Sequence, residues 1–348
     1  MGWIAALRRS RRVHHSSQCV PLFKTASSSS DVLARLRSFL DAEEPKTVRW
    51  LIGFWGEQEA AITYAELREA LLRGEIDGQM LAQWQEEYAG FVNDKLAPQW
   101  REAMAVAATE QAASLGVTAT EYALMWEAAE KYARAHGAEF VTAMLDTQRE
   151  ALNAVIERGL YQNMTADSLA MLMRPLIGLT RPQTIANVNY YQTVWQSLAE
   201  SNPYLSNAAL DKQARESAIR YAARQHRYRA MVIARTELAT AYNQGAYDSL
   251  KYAQARGYIG ICKKVWLTAD DERTCPRCGA VEGQTVALEQ RFSNGVFLPP
   301  AHPMCRCAVA YEEELPGVAS GSETAFEWVA DLDEAGKVKF LGGKTKAA

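Results

Sequence analysis

The chain has 348 residues, 48% of them hydrophobic and 23% charged, with a formal net charge of −3, enough for two or three packed units of soluble globular character, since domains run roughly 100–200 residues. So near neutrality there is no global polyanion-binding signature, and any nucleic-acid contact must come from a local patch. No apolar run approaches the roughly 18 residues that a bilayer span requires, the longest being Trp50 to Trp55, which argues against an integral membrane protein.

Residues 1–30 are basic and free of acid: Arg8, Arg9, Arg11, Arg12 and Lys24 precede Ser27-Ser28-Ser29-Ser30. Such a composition fits a disordered tail, a transit peptide, residues added by an upstream start, or a basic arm on nucleic acid, and Trp3 to Leu7 is too short for a secretory signal. A disordered basic tail is expected. From Asp31 to about Gly257 the pattern is helical. Thr63 with Glu66 forms a capping box for a short helix stopping at Gly74, and Thr118 with Glu121 forms a second box. Gln79 to Leu115 has apolar residues at helical spacing, and Pro98 should kink or split it. A helix runs from Thr118 toward Gly137 and Gly159, Pro175 and Pro182 bracket a break, and Asn202-Pro203 ends the helix over Ile185 to Leu198. Asn207 to Gly257 holds no proline and one internal glycine, Gly245, so it reads as one or two long helices, suggesting an extended bundle or rod. Trp84, Trp100, Trp126 and Trp195 read as core or interface anchors.

After Gly257 the texture changes. Val265-Trp266-Leu267 reads as a strand, Gly283 closes a turn, Asn294-Gly295 between Phe292 and Val296-Phe297 is a hairpin signal, and Ala308 to Tyr311 continues a strand begun at Cys307. Within the 33 residues from Cys275 to Cys307 stand four of the six cysteines and one of the five histidines: Cys275, Cys278, His302, Cys305 and Cys307. Thiolate and imidazole are the ligands Zn²⁺ prefers, and a C-x2-C turn brings two sulfurs to one ion. Cys305 and Cys307, two apart, share a face on extended backbone. Five candidates compete for four places, either the four cysteines or a set with His302 replacing one of the last two. The alternatives to a metal are a disulfide pair, which belongs to oxidising compartments, or buried free thiols. A closed four-ligand site leaves no position for substrate, so a zinc here would staple the fold rather than catalyse. Cys19 and Cys262 lie outside the cluster.

Other motifs fail or are weaker. Gly343-Lys344-Thr345 lacks the glycine a phosphate loop needs at Val338, Asn163-Met164-Thr165 reads as a helix start, and no hydrolase, zincin or dinucleotide fingerprint occurs. Asp270, Asp271 and Glu272 alternate in direction and read as a solvated turn. Lys212, Arg215, Arg220, Arg224, Arg227, Arg229 and Arg235 face only Glu216 in their window, with Tyr221 and Tyr228 interleaved. Arg220, Arg224 and Arg227 share one helix face at i, i+4, i+7, and are candidates for phosphate-backbone contact, with a solvated or protein-docking face as the alternative. From Pro316 a Gly/Ser linker leads to an amphipathic stretch near Phe326 to Leu332 and a lysine-rich end.

Arg235-Thr236-Glu237 with Asn243, then Trp266, Asp271, Arg273, Cys275 and Cys278, Gly283, and Pro300-Ala301-His302-Pro303 with Cys305-Arg306-Cys307, resemble the carboxy-terminal signature of the phage Mu protein F-like head-morphogenesis family, over roughly residues 150–312. The resemblance implies a minor head (capsid) protein of a tailed phage or prophage, associated with the portal protein and other head proteins, lying in the virion head interior after assembly in the host bacterial cytoplasm and reaching packaged DNA. The residues add compatibility: long helices, a basic face, no catalytic constellation and no membrane segment. The expected fold class is α+β, a mainly helical extended body followed by a small metal-stapled β module holding a structural Zn. The expected division is a basic tail at 1–30, a helical region at 31–160, a long-helix region at 161–257, the β module at 258–312 and a linker and tail at 313–348. The rivals are a metal-dependent nuclease built on the Cys/His module, which needs a general base and an open metal position, and a nucleic-acid-binding protein using the knuckle and the basic helix. An activity as an enzyme is not expected.

Overall fold

The computed structural model describes residues 29–74, 76, 78–115, 122–161, 164–269 and 271–313. The opening residues 1–28 with Cys19, the Thr118 and Glu121 box, Asp270, and the stretch after residue 313 with Phe326 to Leu332 lie outside the described residues.

The fold is α+β, mainly helical with one small antiparallel sheet. Helix α1 spans Ser29–Ala61 and α2 spans Tyr64–Arg73. At the start of α2 the Thr63 hydroxyl accepts from the Glu66 N–H at 3.2 Å while the Glu66 carboxylate accepts from the Thr63 N–H at 2.8 Å, and Gly74 ends the helix at φ 78°. This reciprocal cap satisfies two amides that a helix start otherwise leaves bare. Helix α3, Gly78–Phe91, passes through a π segment at Val92–Leu96 into α4, Ala97–Leu115. The expected split at Pro98 takes this form because proline brings no N–H to the carbonyl four residues back. The ladder widens just before it, with the Ala97 N–H reaching Val92 O.

Helix α5 runs unbroken over Tyr122–Tyr161, followed by α6, Ala166–Met173, and a 3-10 turn at Arg174–Leu176. A second capping box, Thr180 with Gln183, opens α7, Arg181–Ser201, where Pro182 sits in the first turn. Helix α8 is one element of 49 residues, Asn207–Ala255, capped by Ser206. At 1.5 Å per residue it is about 73 Å long.

Rather than projecting as a rod, α8 is buried along much of its length. Its alanines at 214, 218, 222, 230, 234, 239, 241, 246 and 253 are buried, and a Cβ placed on Gly245 would lie 2.4 Å from the Met104 backbone of α4. Only small residues allow two backbones this close, so α8 trades helix propensity at Gly245 for contact with α4. Ser249 closes the same seam by donating to Ala108 O at 3.3 Å. Trp84 and Trp100 are buried as expected, Trp195 is half-buried, and the side chain of Trp126 lies outside the description. Trp55, Tyr88, Trp100 and Phe140 form the middle of the bundle, where Trp55 Nε1 donates to the Tyr88 hydroxyl at 3.2 Å and that hydroxyl donates to Gln148 at 3.1 Å.

The sheet is antiparallel, in the order β2, β1, β3, with β1 at Cys262–Leu267, β2 at Thr285–Ala287 and β3 at Ala308–Glu313. Val265 pairs with Thr285 on one side and Ala310 on the other. Alternation along β1 divides its contacts. Cys262 and Trp266 join Tyr247 and Leu250 of α8, while Val265 and Leu267, with Ala310, pack on Val32 and Leu33 of α1. The Asn294-Gly295 signal forms a turn, with Gly295 at φ 82° and its N–H on Phe292 O at 2.8 Å, but the loop has three residues and no strands are assigned beside it. Asn294 keeps a negative φ, so the two-residue hairpin that needs both central residues left-handed does not form.

Candidate metal centre

Cys275 caps a single helical turn, α9, Pro276–Gly279, and its sulfur accepts from the Cys278 N–H at 3.4 Å. The turn aims the two thiols at one point. On the returning chain Met304 takes φ 63°, and the Cys305 N–H donates to His302 O at 3.1 Å, which folds His302 back over the same point. The five predicted donors converge as two overlapping groups, Cys275, Cys278 and His302 in one and Cys278, Cys305 and Cys307 in the other, with ligand atoms of each group within 4.8 Å of one another. Cys278 belongs to both.

The spacing suits a metal. A tetrahedron with Zn–S near 2.3 Å and Zn–N near 2.0–2.1 Å has edges of about 3.5–3.8 Å. Cys278 Sγ lies 3.8 Å from Cys305 Sγ and 3.5 Å from His302 Nε2, and Cys275 Sγ is 3.1 Å from His302 Nε2. His302 Nδ1 donates to Pro303 O at 2.8 Å. That bond fixes the ring with Nδ1 as a donor to backbone and Nε2 toward the thiols, the arrangement that orients a ligating imidazole. Cys278, Cys305 and Cys307 are buried and Cys275 and His302 half-buried. These groups are positioned to hold a metal ion.

Four sulfurs brought together also perturb one another's ionisation. Hydrogen bonding from Cys307 brings the Cys305 thiol down to about 5, against its burial. Burial and the charge of Cys305 push Cys278 up to about 12, and the bond to Cys305 followed by burial drives Cys307 upward as well. Burial opposes ionisation of Cys275, but the N–H and thiol of Cys278 and the His302 ring outweigh it and lower its pKa. Two thiols are thus drawn toward ionisation and their two neighbours pushed away from it. A divalent cation removes that conflict.

Several contacts that sequence reasoning missed hold the loops in place. Asp271, expected in a solvated turn, is clamped by the Arg306 guanidinium through both carboxylate oxygens and accepts from the Arg273 N–H at 3.0 Å. The Arg306 contact leads among the causes that hold its carboxyl well below the usual carboxylate range. Arg306 stands between Cys305 and Cys307, so the residue separating the paired thiols ties their segment, just ahead of β3, to the Cys275 loop. Lys264 on β1 is buried, donates to Phe297 O at 2.9 Å and lies 3.5 Å from the Phe297 ring centroid, and burial pulls its pKa down to about 8. A lone arginine between cysteines beside a nearby aspartate was the readable signal for the first clamp; the lysine left none.

Three consecutive residues of α8 reach three different elements. Arg235 pairs with Glu44 of α1 at 3.2 Å, the Thr236 hydroxyl accepts from the Met304 N–H of the metal loop at 3.3 Å, and Glu237 meets His136 of α5 at 2.5 Å. The expected basic face is therefore smaller than the sequence window. Arg235 and Arg215, the latter 2.8 Å from Asp211, are ion-paired, and Arg229 is buried against Gly178 O and the Trp55 ring. Arg220, Arg224 and Arg227 are exposed on the amino-terminal half of α8, whereas the β module packs on its carboxy-terminal half.

Residues 206–310 match the family model described as Phage Mu protein F like protein. The matched stretch contains α8, all of β1 and β2, and the five donors, which bears out the resemblance read from the motifs. No curated protein and no solved structure matches the chain. Among the described residues, no helix is long and apolar enough to cross a membrane.

Proposed function

We propose that this chain, Mu protein F-like across residues 206–310, is a minor head protein of a tailed phage or prophage that takes part in head morphogenesis beside the portal and remains in the head interior. The observation carrying this reading is that the match falls on one structural unit. It joins the long helix to the metal loop that Thr236 pins, and Arg235 and Glu237 lock that helix into α1 and α5. Such a unit offers rigid surface to a multimeric partner. The metal is a structural zinc, taken by Cys278 and three of Cys275, His302, Cys305 and Cys307, since thiolate and imidazole donors at tetrahedral spacing suit that ion. When bound it neutralises the thiolates and fixes the two loops to each other.

The role is assembly, not catalysis. A nuclease built on this module needs a base beside an open metal position. His302, the one histidine of the module, aims Nε2 at the thiols, and both oxygens of Asp271 are taken by Arg306.

Deleting the gene from its phage or prophage tests the reading. The expected result is a loss of viable particles with defective or misassembled heads, restored by the gene in trans, and the chain present in purified wild-type heads by mass spectrometry. Normal head yield from the deletion, with the chain missing from wild-type heads, would overturn it. Metal-dependent DNA cleavage by the purified protein that His302→Ala abolishes would replace it with the nuclease.

A further inference from the structure

Helix α8 sorts its basic residues by environment. Arg215 and Arg235 are ion-paired, and buried Arg229 is spent on a carbonyl and an indole ring. Arg220, Arg224 and Arg227 are exposed, and among the described residues none has a carboxylate within ion-pair distance. They stand at i, i+4 and i+7, so 1.5 Å of rise per residue puts three like charges along about 10 Å of one face. Neighbouring like charges at these spacings repel on a helix. A surface that keeps them in a row, in a chain of net charge −3, is suited to a ligand that brings the opposite charge in a row.

The aromatic setting narrows that ligand. Arg224 lies over the Tyr221 ring at 5.6 Å, and Tyr221 in turn contacts Tyr190 of α7 with ring centroids 4.7 Å apart. Arg220 donates to the Ser217 hydroxyl at 3.0 Å. Tyr228, 59% exposed, lies next to Arg227 with its hydroxyl free to donate to an oxygen acceptor. Stacked and hydrogen-bonded guanidiniums have fewer orientations to lose on binding, and their flat fork matches phosphate oxygens.

We infer that the exposed α8 face of Arg220, Arg224 and Arg227, with Tyr221 and Tyr228, binds the phosphate backbone of nucleic acid without regard to sequence. Guanidinium contacts to phosphate oxygens position a protein on nucleic acid and carry no sequence information. Salt should weaken the contact steeply, because each neutralised phosphate releases counterions and adds about −0.9 to the log–log slope. The inference does not depend on the head-assembly reading, because it is tested on purified full-length protein.

The test is fluorescence anisotropy with a labelled random-sequence DNA duplex, titrated between 50 and 200 mM salt. The triple change Arg220→Gln, Arg224→Gln and Arg227→Gln should lower the slope by about 2 to 3, with circular dichroism unchanged. A charge-matched control, Arg68→Gln, Arg134→Gln and Arg149→Gln, removes three exposed arginines that face Asp167, Glu130 and Asp146 and should leave the slope as in wild type. No binding by wild type at 50 mM salt would overturn the proposal. So would a slope unchanged by the triple change or lowered equally by the control. If the triple variant keeps DNA binding yet fails to enter heads, the face meets an acidic protein surface instead, and the nucleic-acid assignment falls.

Discussion

The β module and the helical bundle reach order by different routes. In the bundle, Trp55, Trp84, Tyr88 and Trp100 are all but fully buried, and α8 gains further contact through an alanine and glycine seam against α4. The module has three short strands, a single turn of helix and long loops, and its loops are tied by side chains: Arg306 to Asp271, Lys264 to Phe297 O, and five convergent Cys and His donors. A unit of about fifty residues cannot bury enough surface to order such loops unaided, and metals are a common supplement at that size. Nor does it stand alone. Leu36 and Leu40 of α1 and Tyr247 and Leu250 of α8 share a cluster with Trp266, Cys278 and Cys305. The bundle thus gives the module a floor, and the donors supply its walls.

Removing one donor should separate the two regions most sharply. Cys278→Ser takes away the ligand common to both groups, and structural zinc sites contribute folding free energy on the order of 10 kcal/mol or more. Hydrogen exchange should show amides of β1 to β3 losing protection while those of α2 through α7 keep theirs. Equal loss in both regions would mean that the donors do not act locally.

The reverse experiment loosens the bundle. Gly245→Ala gains about 1 kcal/mol in helix propensity, but the new methyl meets the Met104 backbone, which unlike a side chain cannot rotate aside. Overpacking costs of about 1–3 kcal/mol apply at their upper end, so thermal unfolding should show a lower midpoint. An unchanged or raised midpoint would show that the α4 and α8 seam is looser than described.

A smaller effect, tunable by pH, comes from His136. Its burial favours the neutral ring, yet the hydrogen bond and charge of Glu237 outweigh this and hold its pKa above the ordinary value. A raised folded pKa gives stability that is whole below the unfolded value near 6.5 and is lost as pH rises through the folded value. Relative to His136→Leu, wild type should be more stable by about 2 kcal/mol at the acid end, and this gap should shrink as pH rises. A gap that widens with pH would contradict the pairing.

The contrast between the regions also explains how much could be read beforehand. The capping box at Thr63, the stop at Gly74 and the break at Pro98 are local events, so short stretches revealed them, whereas the equally local box of Thr180 with Gln183 was passed over. The C-x2-C and C-x-C spacings likewise exposed the four cysteines, and His302 stands three residues before Cys305, because groups brought together by a tight turn must be near in sequence. What stayed hidden was set by distant chain. Arg229 looked like a surface charge until Trp55 and the turn at Gly178 closed over it, and Asp271, in an exposed turn as expected, gave no sign of the clamp that Arg306 brings round with the second thiol pair. Thr236 and Glu237 entered the motif, but their partners, Met304 and His136, are 68 and 101 residues away. Asn294-Gly295 misled on loop length because the dipeptide permits two turn geometries and the surrounding module chose the longer.

Metal content of the intact chain tests the central claim most directly. Protein purified under reducing conditions and without added metal should carry close to one zinc per chain by elemental analysis, and a strong chelator should remove it together with amide protection in β1 to β3. Metal-free protein whose β1 to β3 amides are nevertheless fully protected would contradict the claim that the Cys and His cluster holds the module through an ion.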